Sequence, residues 1–82
     1  MELKDTIELM QSEDYKERFK AEYYQVKIRF EKLSAMLDKW DIGELNFTPT
    51  CPRMIYNGQA QAMSDYLHAL KARAALEHIE LE

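Results

Sequence analysis

The sequence predicts an all-α protein, an antiparallel two-helix hairpin with a short N-terminal helix, assembled as a homo-oligomer. Three observations carry this reading. Phe19, Tyr23, Val26, Phe30, Leu33, Leu37 and Trp40 follow an unbroken 4-3-4-3-4-3 spacing, the stripe of a helix packed along its whole length against another. Tyr56, Ala60, Met63, Leu67, Leu70 and Ala74 repeat the pattern as 4-3-4-3-4. The residues between the stripes include Gly43, Pro49 and Pro52, which punctuate helices. Two long helices joined by so short a connection form an αα-hairpin.

Each element has its own signals. Leu3, Ile7 and Met10 fall at i, i+4 and i+7, enough for a short amphipathic helix over residues 3–10. Gln11-Ser12-Glu13-Asp14 reads as a break and a restart. Ser12 is placed to cap the next helix, with Glu13 and Asp14 in its first turn. The first long helix then covers residues 13–41, and Gly43 closes it in a left-handed conformation. In the loop, residues 42–51, Leu45 and Phe47 are apolar enough to cover the open end of the hairpin. Thr48 or Thr50 can cap the second long helix, residues 52–78, with Pro49 or Pro52 in its first turn. Residues 1–82 make one domain, near the lower end of what folds on a single core.

Composition narrows the function classes. The chain is 46% hydrophobic and 32% charged, which fits a folded globular protein. No apolar run approaches the roughly 20 residues that span a bilayer, and no secretory signal is visible, so a cytoplasmic location is expected. The one cysteine, Cys51, rules out an intramolecular disulfide. The net charge is -4, yet Lys16, Arg18, Lys20, Lys27, Arg29 and Lys32 outnumber Glu17, Glu22 and Glu31 between positions 16 and 32. A local excess of +3 in an acidic protein argues against general nucleic-acid binding, which wants a domain-wide positive field, and leaves room for a small anionic ligand. The terminal Leu81-Glu82 is either native or a cloning remnant and is given no function.

The helices also carry second faces. Ala21, Tyr24, Ile28 and Ala35 lie nearly opposite the first core stripe, and Ile55, Ala62, Tyr66, Ala69, Arg73 and Leu76 lie about a third of a turn from the second. Apolar faces of this kind mark interfaces. Ala21, Ile28, Ala35, Ile55, Tyr66 and Ala69 are therefore the expected oligomer contacts, with the short N-terminal helix sharing the cover. Lysines, arginines and tyrosines beside such an interface make a pocket for an anionic, aromatic ligand. Cations would neutralise phosphates and a tyrosine ring would stack on a base. The candidate ligand-binding residues are Lys16, Lys20, Tyr24, Lys27, Arg29 and Arg73.

Catalytic signatures are missing. His68 and His78 share no metal-ligand spacing with a carboxylate or with Cys51. Cys51 has no partner base evident in sequence, and the two glycines, Gly43 and Gly58, exclude a glycine-rich phosphate loop. No catalytic residue, metal site or cofactor is expected, and the protein reads as a non-enzyme.

The chain resembles a family of small phage and prophage proteins related to a crAss-like phage protein. The likeness rests on Tyr15-Lys16-Glu17-Arg18-Phe19, Glu22-Tyr23, Lys32-Leu33, Leu45-Asn46-Phe47-Thr48-Pro49-Thr50-Cys51-Pro52, Gln61-Ala62-Met63, Tyr66-Leu67 and Arg73-Ala74. It covers residues 14–78, and the loop from Phe47 to Pro52 is its most specific part. More distantly, the hairpin looks like the oligomeric phage sponges that sequester cyclic nucleotide signals of bacterial anti-phage defence (the CBASS and Thoeris systems). That likeness implies a phage or prophage accessory protein, acting in the cytoplasm of an infected or lysogenic host. It would hold a cyclic di- or trinucleotide between subunits, with Tyr15, Lys16, Lys20, Tyr24, Lys27 and Arg73 in the binding parts. The alternative is a structural or protein-binding hairpin, such as a host-protein inhibitor or an assembly factor, with no small-molecule ligand.

Overall fold

A computed structural model describes residues 1–81. A 3₁₀ turn, Leu3–Thr6, runs into a single α-helical turn, α1 (Ile7–Met10). The long helices are α2 (Tyr15–Asp41) and α3 (Arg53–Glu77), and no strand is present among the described residues. Trp40 meets Tyr56, Glu22 meets Tyr66 and Tyr15 meets Glu77. Only antiparallel helices bring partners together in that descending order. The hairpin is elongated, 43 × 24 × 19 Å.

The start of α2 differs from expectation. Asp14 is the N-cap, its Oδ1 accepting from the Lys16 backbone N–H at 2.9 Å. Ser12 sits one step back and braces the cap, its Oγ accepting from the Asp14 N–H at 3.0 Å. The carboxylate is the better acceptor for the positive end of a 27-residue helix. Arg18 fixes the same corner by donating to the Ser12 carbonyl at 2.8 Å.

At its other end α2 closes as expected. Gly43 takes φ 72°, its N–H donates to the Trp40 carbonyl, and the Glu44 N–H reaches back to Lys39 at 2.9 Å. That pair of bonds is a Schellman motif. The cap of α3 departs from expectation: neither threonine serves, and Pro52 is the N-cap without a side-chain bond. Leu45 is half-buried while Phe47 stays exposed, so the loop covers the hairpin's open end only in part.

Packing is graded along the hairpin. The core is formed by Phe19, Tyr23, Tyr24 and Ile28 of α2 with Leu67, Leu70 and Ala74 of α3 and Ile79 beyond it. Toward the loop, Leu33, Trp40, Tyr56, Ala60 and Met63 keep to the predicted stripes but are only half-buried, and Leu37 alone is buried there. The N-terminal segment makes the third layer. Thr6, 1% exposed, donates from Oγ1 to the Leu3 carbonyl at 2.7 Å and accepts from Gln25 Nε2 at 3.0 Å. Gln25 shares a face of α2 with Ala21, Tyr24 and Ile28. Ala21 and Ile28, expected at contacts between subunits, are thus buried within one chain, on the face that takes the N-terminal segment.

A lysine-lined groove as the candidate functional site

The chain beyond α3 shapes the site. His78 adopts the left-handed conformation at φ 58°, and the Ile79 N–H donates back to the Ala74 carbonyl at 2.9 Å. This second helix-ending turn swings Ile79 inward until it is 6% exposed, with Leu81 packed against the same core. Lys16 reaches the turn from α2, its Nζ lying 3.5 Å from the His78 carbonyl oxygen. That cation meets the negative end of α3, where a positive charge is favoured.

Between this turn and α2 lies an open groove of ≈ 480 Å³, with Tyr23, Ala74, Ala75, Ile79 and Leu81 as its largely apolar lining and Lys27 and Lys71 as its cations. Lys27 Nζ lies 6.0 Å from the centre of the Tyr23 ring, within cation–π range. Tyr23 packs edge-on against Tyr24, with ring centres 5.4 Å apart. Lys16 and Lys20 continue the row on the same flank of α2, at the i, i+4, i+11 positions that one helix side presents. Among the described residues, none of Lys16, Lys20, Lys27 and Lys71 forms an ion pair with a carboxylate; the three ion pairs present are Lys4–Glu2, Arg53–Asp41 and Arg73–Glu77. A chain of net charge -4 thus keeps a row of lysines that have no carboxylate partner among the described residues beside an apolar floor.

The sequence-predicted binding residues divide. Lys16, Lys20 and Lys27 come together on the groove's flank. Tyr24 is buried in the core, 9% exposed. Arg29 and Arg73 are on the other side of the hairpin. Arg73 is already engaged there: its guanidinium stacks over Phe19 at 4.9 Å, donates to Tyr15 Oη at 2.9 Å and pairs with Glu77. Tyr15 Oη in turn donates to Glu77 Oε1 at 2.7 Å. The bond to Tyr15 is the main reason the Arg73 guanidinium binds its proton more tightly than usual. On that flank too, the Tyr66 hydroxyl donates to Glu22, which together with partial burial raises its pKa.

Lys71 and Tyr23 were not among the predicted ligands. Lys71 precedes Ala74 by three positions and so borders the core stripe, a signal available from helical spacing. Tyr23 is itself a stripe residue, and its ring both fills the core and edges the groove.

Among the described residues no group of His, Cys, Asp and Glu is placed to hold a metal ion, and no helix is long and apolar enough to cross a membrane. The fold and groove define a helical hairpin with a lysine-flanked groove at the end away from its loop. Residues 13–76 match the Sequestin family, and the chain belongs to it. Neither the curated proteins nor the solved structures compared with this chain return a match.

Proposed function

We propose that this protein is a non-enzymatic sequestering protein of phage or prophage origin, whose lysine groove takes up a cyclic di- or trinucleotide immune signal in the cytoplasm of the host. The observation that carries the reading is the apolar lining of Tyr23, Ala74, Ala75, Ile79 and Leu81 with Lys27 and Lys71 in the groove and Lys16 and Lys20 on the same flank of α2, none of the four paired with a carboxylate among the described residues. Phosphates need the lysines, and a base or ribose face needs the apolar lining. The family's name, Sequestin, agrees with holding a ligand rather than transforming it. A homo-oligomer would gather several such grooves in one particle.

Titration calorimetry against a panel of cyclic di- and trinucleotides tests this. The double variant Lys20→Glu, Lys27→Glu is expected to weaken binding by at least about two orders of magnitude, as each lost charged hydrogen bond is worth about 1.5 kcal/mol. Helicity by circular dichroism should not change, because glutamate forms helix about as well as lysine. Absence of heat with every member of the panel would remove the nucleotide reading.

A further inference from the structure

The flank of α3 turned away from the groove is apolar and open. Ile55, Ala62, Tyr66, Ala69, Arg73 and Leu76 fall within a sector of about 80°, and Lys71 lies about 180° from its centre. Ile55 is 55%, Tyr66 43% and Leu76 82% exposed; Ala62 and Ala69 are exposed as well. Arg73, the charged member of the stripe, is neutralised within its own chain by Glu77.

The order of residues along this stripe is self-complementary. Ile55 and Leu76 are equidistant from the point between Asp65 and Tyr66, and so are Ala62 and Ala69. A two-fold axis at that point sets Ile55 of each copy on Leu76 of the other, and Ala62 on Ala69. Small residues then meet one turn to either side of the axis and large ones at the ends, while Tyr66, beside the axis, is tied down to Glu22 of its own chain. The antiparallel orientation also opposes the two helix dipoles.

The exposed area is what one such interface requires. A compact monomer of 9.7 kDa should expose about 5,100 Å², whereas this chain exposes 5961 Å². The excess of about 800 Å² equals one partner's share of a standard interface. The radius of gyration agrees, at 15.0 Å against about 12 Å for a compact chain of this length.

We infer that two copies of this chain pair antiparallel through the Ile55–Leu76 face of α3, forming an isologous dimer that leaves both lysine grooves open on its outer sides. The pairing takes up the oligomer of the function proposed above and does not depend on what the groove holds.

Light scattering coupled to size exclusion, at micromolar concentration, should give twice the 9.7 kDa chain mass for the wild type. Ala62→Glu, Ala69→Glu should halve it with helicity unchanged, since both positions are exposed in the single chain. In a Cys51→Ser background, a mixture of Ala62→Cys and Ala69→Cys chains should cross-link on oxidation far more than either variant alone. A monomeric wild type, or a dimer indifferent to the two glutamates, overturns the interface. Cross-linking of each single variant with itself, as a parallel pairing would give, overturns the register.

Discussion

Replacing Thr6 by valine tests what holds the N-terminal segment on the hairpin. The substitution preserves the buried shape and removes only the hydroxyl, which spans the segment and α2: it donates to Leu3 O at 2.7 Å and accepts from Gln25 Nε2 at 3.0 Å. Gln25 is half-buried and also lies 3.6 Å from the Met10 sulfur, a weak acceptor that replaces little of what is lost. A net hydrogen bond is worth about 1 kcal/mol, and a polar group stranded in a buried place costs somewhat more. Thr6→Val should therefore destabilise by about 1 to 2 kcal/mol, which for a domain of this size lowers the melting temperature by about 5 to 15 °C. Calorimetric melting gives the total. A double-mutant cycle with Gln25→Met isolates the cross-segment bond, for which about 1 kcal/mol of coupling is expected. Coupling below about 0.3 kcal/mol would refute the reasoning, because the segment would then be held by Leu3 and Leu9 alone.

Two further outcomes concern the ends and flanks of α3. His78→Gly should raise stability by about 0.5 to 1 kcal/mol, since a side chain at φ 58° is strained where glycine is not; a higher urea midpoint at unchanged m-value is the readout, and a lower midpoint would mean that the imidazole contributes to the turn. The raised pKa of Tyr66 arises first from its bond to Glu22. A folded-state pKa above the ordinary value of 10.0 stabilises the fold below that pH, and the contribution disappears as pH climbs through the folded value. Urea titrations at several alkaline pH values should thus show a steeper loss of stability for the wild type than for Tyr66→Phe, and parallel curves would contradict the bond.

The two long helices were legible because their stripes are long and regular: Phe19, Tyr23, Leu67, Leu70 and Ala74 are buried where the spacing put them. Gly43 was equally plain, as few residues accept its backbone conformation. The cap of α2 was harder, for Ser12 and Asp14 are both good caps and only the path of the chain decides between them. Ala21 and Ile28 read as a second interface because periodicity reveals that a face must be covered and is silent on what covers it. Here much of the cover comes from the same chain, through a short 3₁₀–α1 segment. The groove was half legible. Helical spacing gathers Lys16, Lys20 and Lys27 on one side, but Arg73 had to be seen in space to be recognised as bound to Tyr15 and Glu77. The inward return of Ile79 depends on a left-handed histidine that no local pattern announces.

The graded packing of the hairpin bears on how long a ligand would stay. Ile42, Phe47 and Met54 at the loop end are all more than half exposed, so opening fluctuations should start there, where few apolar contacts resist them. The groove lies at the opposite end, against Tyr23, Ala74 and Ile79, which are among the buried apolar side chains of the core. Its apolar walls are already packed before anything arrives, so capture would have to freeze only the lysines. In the retention role proposed above, that saving would appear mainly as slow release. Loosening the loop end should leave residence times nearly unchanged, whereas a cavity beneath Tyr23 should shorten them.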